Sequence, residues 1–205
     1  TNNLKSACQL NTSASCISSY DTSGVMGAFN PTFIRVLDMA ASEYDVPAAL
    51  ILAYLAVIHK PEMALYQNLF SLSGDQALFD ASAPWYGRVP RCDDTNIAAI
   101  GPYDWIAQWF PKEEIGPALD ELSDGRSETA SRCNFLDATY AAAYSLRSVG
   151  TTCESYTWDI AKISLLNLTL GFYRTEDYNP DSNPDTTTTG DYVVQRGSVV
   201  WNSCR

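Results

Sequence analysis

The sequence predicts a mainly α-helical domain, and three stretches of it carry that prediction. Apolar residues recur at helical spacing between Phe33 and Tyr44, an apolar run follows from Val46 to Ile58, and an Ala- and Tyr-rich stretch begins after Asn134. A chain of 205 residues suits one domain, and its hydrophobic share of 46% is enough for a sizeable core. We therefore expect one helical body.

The N-terminal elements follow from composition and from helix start signals. The first 29 residues are rich in Ser, Thr, Asn and Gly and show no sustained period, which predicts an irregular arm over residues 1–29. Asn30 and Pro31 are typical of the cap and first position of a helix, and Pro47 opens a second helix without a polar face. Such a helix belongs in the middle of the core. The side chains expected around it are Phe33, Val36, Leu37, Leu52, Leu55, Ala56, Tyr140 and Leu165.

The rest of the helical domain, predicted over residues 30–175, contains shorter elements. Pro61 is expected to end the second helix, and residues 71–100 read as a long loop rich in Gly, Pro, Asp and aromatic residues. Asn134 is expected to cap one of the later helices, with Gly150 just beyond its end. These later helices are predicted at residues 63–70, 102–110, 112–122, 135–149 and 154–174.

The last stretch, residues 176–205, is predicted to be a polar linker followed by a small C-terminal β-hairpin. The linker has no hydrophobic face. Two short β-branched runs, residues 192–194 and 199–201, flank Arg196 and Gly197, which is a pattern typical of a tight turn between strands.

The six cysteines predict disulfide bonds rather than a metal site. No Cys-x-x-Cys pair occurs and His59 is the single histidine, so we expect no metal cluster. Buried free thiols are the alternative. We expect Cys8–Cys16 to close a short loop, Cys92–Cys133 to tie the long loop to the helix after Asn134, and Cys153–Cys204 to hold the tail. Disulfide bonds favour a secreted protein in an extracellular or periplasmic compartment. The sequence opens at Thr1 without a methionine, which suits a mature secreted form whose signal peptide has been removed.

Charge and hydropathy limit the kinds of partner that we expect the protein to bind. The net charge of −11 and the lack of a basic run argue against nucleic acid. No apolar run reaches the ~18–20 residues needed to span a bilayer, so we expect no membrane insertion. No phosphate-binding or dinucleotide fingerprint occurs, so we expect no cofactor. The Asn-x-Ser/Thr triplets at Asn11 and Asn167 are candidate glycosylation sites.

Three segments in a fixed order resemble the lysozyme-like transglycosylase domains, a group that includes soluble lytic transglycosylases and goose-type lysozymes. The segments are VPAALILAYLAVI (residues 46–58), AAIGPYDWIAQWF (98–110) and CNFLDATYAAAYSL (133–146). In that family a buried helix delivers a catalytic glutamate, a Gly-containing turn lines the cleft, and an Ala- and Tyr-rich helix follows. The resemblance implies a lysozyme-like helical fold and a glycan or cell-wall polymer as partner.

The resemblance implies one catalytic carboxyl group. A glutamic acid kept protonated by apolar surroundings donates its proton to the leaving oxygen, the sugar's own hydroxyl attacks, and the carboxylate then serves as base. At the family's glutamate position this chain has Ile58, so the nearest candidate is Glu62, four residues later. Tyr103-Asp104 replaces the family's Met-Gln pair, and Leu166-Asn167 replaces its Tyr-Asn pair.

The candidate substrate-binding residues are Tyr86, Tyr103, Asp104, Gln108 and Asn167. For the tyrosines the alternative is a place in the core, since aromatic rings both stack on sugars and fill interiors. Asn167 belongs either to a buried polar network or to a solvent-facing glycan site.

Two functions stay open. The first is a secreted domain that binds and cleaves peptidoglycan-type glycan. The second is an inactive domain that serves as a binding or structural subunit of a surface assembly, with self-assembly or a surface-complex partner.

Overall fold

The mainly α-helical fold is confirmed. The computed structural model describes residues 3–20, 31–58, 103, 110–173 and 190–205, with the backbone alone for residues 170–173, and within them it contains seven α-helices and no strand. The α-helices are α1 (Ala14–Tyr20), α2 (Pro31–Tyr44), α3 (Ala48–Ile58), α4 (Lys112–Leu122), α5 (Phe135–Leu146), α6 (Trp158–Tyr173) and α7 (Gly190–Cys204). Three short 3₁₀ helices accompany them: η1 (Ser6–Cys8), η2 (Arg126–Thr129) and η3 (Cys153–Ser155).

A tight connection joins α2 to α3. Asp45 adopts a left-handed conformation with φ of 53°, and the amide of Val46 donates to the carbonyl of Ala41 at 3.0 Å. This six-to-one bond satisfies a carbonyl that the end of α2 leaves open. The two helices consequently meet at a bend of 119°.

Helix α3 is the centre of the core, as predicted. Its apolar side chains from Ala48 to Val57 are at most 3% exposed. The helix packs against α7 most extensively and also against α2, α5 and α6. All eight side chains predicted to be buried around it are buried: Phe33, Val36, Leu37, Leu52, Leu55, Ala56, Tyr140 and Leu165.

The predicted bounds hold to within a few residues for the three later helices that the structure describes. The predicted helix at residues 63–70, the predicted loop at 71–100 and most of the predicted helix at 102–110 lie outside the described residues. Helix α4 spans the predicted residues 112–122. The side chain of Asn134 caps α5 by accepting from the amides of Leu136 and Asp137 at 2.9 and 3.2 Å. Helix α5 ends at Leu146, three residues earlier than predicted. Helix α6 begins after η3, because the chain first turns through the buried disulfide at Cys153.

The predicted C-terminal β-hairpin is wrong, because residues 190–204 form helix α7. Its buried residues follow a helical period: Val193, Gly197, Val200, Trp201 and Cys204. Gly197 is not in a turn. A Cβ at that position would lie 2.5 Å from Cδ2 of Leu165 and 3.2 Å from the Trp158 ring, so the missing side chain permits close packing of α7 against α6.

The N-terminal segment is more regular than predicted, and two of the predicted cysteine pairs are wrong. Residues 6–8 and 14–20, expected to be irregular, form η1 and α1. The disulfide bonds are Cys8–Cys153 and Cys16–Cys204, instead of Cys8–Cys16 and Cys153–Cys204. Short sequence spacing suggested the local pairs, whereas the fold brings the N-terminal segment against η3 and the end of α7. Cys133 is also disulfide-bonded, and its predicted partner Cys92 lies outside the described residues.

Among the described residues, no single helix has the length and hydropathy of a membrane span. Helices α2 and α3 reach that length and hydropathy only when they are counted together, across the bend that separates them.

Candidate functional site

Three aromatic rings bring together the segments that carry the family resemblance. Tyr54 lies on α3, Tyr103 in the segment of residues 98–110, and Phe135 at the start of α5. The rings of Tyr54 and Tyr103 stack with centroids 6.2 Å apart, and those of Tyr103 and Phe135 stack at 5.8 Å. Phe33 of α2 extends the stack on Phe135 at 5.6 Å. One continuous group of rings therefore connects α3, Tyr103 and the start of α5 within the core.

Tyr103 is a core residue in this structure. Its side chain is fully buried, and its hydroxyl lies 3.0 Å from the hydroxyl of Thr139, which itself donates to the carbonyl of Phe135. Burial raises the pKa of Tyr103 far above its usual range, so the phenol stays neutral. Because the Thr139 hydroxyl already donates to Phe135, the Tyr103 hydroxyl donates the hydrogen bond and Thr139 accepts it. A contact with sugar would require the ring to leave the stack. Its predicted substrate-binding role stays a prediction.

The other predicted cleft residues divide into those inside and those outside the described chain. Asn167 is exposed on α6. Helix α3 ends at Ile58, which is partly buried against the core, four residues before the predicted acid. The predicted site residues that lie outside the described chain are Glu62, Tyr86, Asp104 and Gln108.

Both candidate glycosylation sites present an exposed asparagine. Asn11 follows η1, and its side-chain oxygen accepts from the amide of Ser13 at 3.1 Å. Asn167 is exposed, which excludes the buried network that the sequence left open. The third residue of its triplet, Thr169, is buried and donates to the carbonyl of Leu165 at 2.7 Å. Glycosylation at either position stays a prediction.

A buried charged cluster, which sequence reasoning missed, holds the segment before α5. The Asp137 carboxylate pairs with the guanidinium of Arg126 and also accepts from the Ser131 amide at 2.9 Å. The side chains of Arg126 and Asp137 are 2% and 0% exposed. The sequence signalled the Asn134 cap, but no pattern marked Arg126 as its neighbour. Because the cluster is enclosed, it fixes the chain path and offers no open site for a ligand.

A second feature that the sequence did not indicate is a polar groove between α4 and η2, of about 510 Å³. Asp120 accepts from both the amide and the hydroxyl of Ser127, and these bonds lower the pKa of its carboxyl group. Lys112 crosses the groove and donates to the carbonyl of Glu128 at 2.9 Å. The groove is thus held by bonds between its own walls. Its lining residues are Lys112, Glu113, Gly116, Pro117, Asp120, Ser127 and Glu128.

One group of potential metal ligands occurs among the described side chains. Ligand atoms of Cys8, Asp45 and Cys153 lie within 4.8 Å of one another. The two sulfur atoms form a disulfide with each other, so neither is a thiolate. The Asp45 carboxylate is engaged by the ammonium of Lys5 at 2.6 Å. This group therefore stabilises the N-terminal segment and lacks the donors of a metal centre.

The family resemblance concerns the order of three segments and a candidate acid that follows α3. Comparison of the chain with known protein families, with curated proteins and with solved structures found no match in any of the three. Membership of the lysozyme-like family and the role of Glu62 therefore stay predictions.

Proposed function

We propose that this protein is a secreted, disulfide-bonded lysozyme-like domain that binds peptidoglycan-type glycan and cleaves it with Glu62 as the single acid and base. The buried disulfide bonds support export, since such bonds persist in oxidising compartments. The acid lies four residues after the end of α3, and α3 is the buried centre of the core.

The observation that carries the proposal is the stack of Tyr54, Tyr103 and Phe135. Each ring comes from a different one of the three resembling segments, and the centroids are 5.8 to 6.2 Å apart. Segments that build one cleft must converge on one side of the central helix. The stack supplies such convergence for segments that are far apart in the sequence.

One carboxyl group is sufficient for the chemistry proposed. The protonated acid gives its proton to the glycosidic oxygen as the bond to the sugar breaks, and the resulting carboxylate takes the proton of the attacking sugar hydroxyl. The acid is thereby restored, and neither water nor a second carboxylate takes part in the reaction. A sugar with an internal ether bond is the expected product, which distinguishes this reaction from hydrolysis.

The test is release of soluble muropeptides from purified peptidoglycan by the wild type and by Glu62→Gln. We expect the variant to lose roughly 10²- to 10⁴-fold in rate, the usual contribution of general acid-base catalysis. Glu128→Gln is the matched control, since Glu128 is an exposed glutamate of η2. Equal release by wild type and Glu62→Gln would exclude Glu62 as the acid.

The second candidate function is binding without cleavage, and Ile58 favours it. This side chain occupies the family's glutamate position and packs against the core at the end of α3. If the wild type sediments with insoluble peptidoglycan but releases nothing, the domain is a binding or structural subunit. Release that appears only in Ile58→Glu would show that the rest of the cleft is intact and that the acid alone was lost.

A further inference from the structure

The two described disulfides each join an early cysteine to a late one. Cys8 pairs with Cys153 across 145 residues, and Cys16 pairs with Cys204 across 188 residues. All four side chains are buried, at 2% exposure or less. During synthesis, Cys8–Cys153 cannot form before Cys153 is available, and Cys16–Cys204 cannot form before Cys204 is available.

A local disulfide competes with both native bonds in the unfolded chain. Cys8 and Cys16 are only eight residues apart, and no proline stiffens the segment between them. Because loop closure falls with about the 3/2 power of loop length, each meets the other at an effective concentration on the order of 100-fold higher than it meets its native partner. They are also the first two cysteines to be synthesised.

The fold does not keep the competing pairs apart. Arg205, next to Cys204, donates to the carbonyl of Ala7 at 2.9 Å and also to the carbonyl of Cys153. The amide of Asn11 donates to the carbonyl of Cys204 at 2.9 Å. All four cysteines thus belong to one junction between the N-terminal segment, η3 and the end of α7. The non-native pairs Cys8–Cys16 and Cys153–Cys204 would therefore each join cysteines of the same junction.

We propose that oxidative folding of this protein passes through a non-native Cys8–Cys16 bond and requires a thiol–disulfide isomerase as folding partner. The isomerase thiolate attacks Sγ of Cys16, which forms a mixed disulfide and releases the Cys8 thiolate. The Cys204 thiolate then attacks the mixed disulfide, which forms Cys16–Cys204 and returns the isomerase thiolate. A disulfide donor such as oxidised glutathione takes two electrons and two protons from Cys8 and Cys153, which form the second bond while the donor becomes two thiols.

The experiment refolds the fully reduced chain in a glutathione redox buffer, with and without a reduced isomerase. Samples are quenched with acid, alkylated, digested with trypsin and analysed by mass spectrometry. Cys8 and Cys16 share the tryptic peptide of residues 6–35, whereas Cys153 and Cys204 lie in peptides 148–162 and 197–205. The native pairing links three peptides together, whereas the local pairing leaves peptide 6–35 internally closed.

We expect the internally closed peptide to dominate early samples of the wild type, and the isomerase to speed the appearance of the three-peptide species at least tenfold. An isomerase with alkylated active-site cysteines should give no acceleration. The control variant Cys8→Ala/Cys153→Ala keeps Cys16–Cys204 without its local competitor, so the isomerase should change its refolding rate by less than twofold.

Two results would overturn the inference. One is a wild type that reaches the three-peptide species at the same rate with and without active isomerase. The other is an internally closed peptide that never exceeds a few per cent of the early products. Both are measured on the wild type alone, so either result is decisive even where the control variant does not fold.

Discussion

Helix α3 and the first turn of α5 are equally buried but are stabilised in opposite ways. The side chains of α3 from Ala48 to Val57 are apolar apart from the Tyr54 hydroxyl. The start of α5, by contrast, encloses the Asn134 amide and the ion pair of Arg126 with Asp137. Apolar burial contributes in proportion to the area removed from water and depends on no single contact. A buried ion pair depends on both partners, because either charge alone is strongly disfavoured inside a protein.

This contrast predicts which substitutions harm the fold most. Loss of one apolar side chain from α3 removes only part of a stabilisation to which many buried side chains contribute. Loss of one charge beside α5 leaves its partner uncompensated. Single substitutions in the two regions should therefore differ in cost, with the largest effect at the ion pair.

Arg126→Met should lower the free energy of unfolding by about 3–5 kcal/mol, since it leaves the Asp137 carboxylate buried without its guanidinium. Urea unfolding followed by circular dichroism measures the change. Lys162→Met is the matched control, because Lys162 pairs with Asp159 on the surface of α6. The control should change the stability by less than about 1 kcal/mol.

The double variant Arg126→Met/Asp137→Leu sharpens this test. It removes both charges, so a large part of the lost stability should return relative to Arg126→Met alone. If the double variant is as unstable as the sum of both single variants, the buried pair does not act through charge compensation, and the proposed contrast with α3 fails.

Leu52→Ala should lower the free energy of unfolding by roughly 2–5 kcal/mol, because the fully buried side chain leaves a cavity in the centre of the core. Leu52→Met, which conserves volume, should cost less than about 1.5 kcal/mol. Thermal and urea unfolding measure both variants. An unchanged melting temperature in Leu52→Ala would contradict the central position of α3.

The sequence was sufficient to predict the helices in which the period of apolar residues and the signals at the helix ends agree. Pro31 and Pro47 begin α2 and α3 within one residue of the predicted positions, and Asn134 caps α5. Local sequence failed for α7, where Arg196 and Gly197 between β-branched runs read as a turn. The buried residues of this segment also follow a helical period, and that period, together with the close packing of Gly197 against α6, prevails over the local turn signal.

The same limit applies to the disulfides and the candidate site. Sequence spacing favours the pair of Cys8 and Cys16, but native pairing depends on which elements the fold brings together. Tyr103 was predicted from its position after a Gly-Pro turn, yet the structure places its ring among core aromatics. Residue type and order selected the three resembling segments, whereas the orientation of a side chain such as that of Tyr103 depends on packing between elements distant in sequence.

Gly197→Ala should destabilise the protein by about 1–2 kcal/mol. The added Cβ meets the buried Leu165 side chain, an overpacking effect that outweighs the better helix propensity of alanine. Combining it with Leu165→Ala makes room for the new methyl group. We therefore expect the double variant to be more stable than the two single effects added together, as measured in a double-mutant cycle of urea unfolding. Strict additivity would show that α6 and α7 do not meet at this point.

The smallest expected effect is a gain in stability, at a polar contact between α2 and the N-terminal segment. Asp38 is buried, and its carboxylate accepts from the amide of Leu10 at 2.8 Å. Burial raises the pKa of Asp38 from 3.8 to about 6, and the hydrogen bond from Leu10 only partly offsets this. The folded state therefore binds the proton more tightly than the unfolded state, and folding loses stability as the pH rises from about 4 to 6.

Asp38→Asn keeps an oxygen that accepts from Leu10 but cannot ionise. The variant should match the wild type near pH 4, and it should be more stable at pH 7 by on the order of 1 kcal/mol, since the buried negative charge is gone. Glu43, whose pKa is also raised by burial, is present in both proteins and cancels in the difference. Urea unfolding at pH 4, 5, 6 and 7 measures that difference. Parallel stability curves over this range would show that Asp38 ionises in the folded protein as easily as in the unfolded chain, and that its burial beside Leu10 carries no electrostatic penalty.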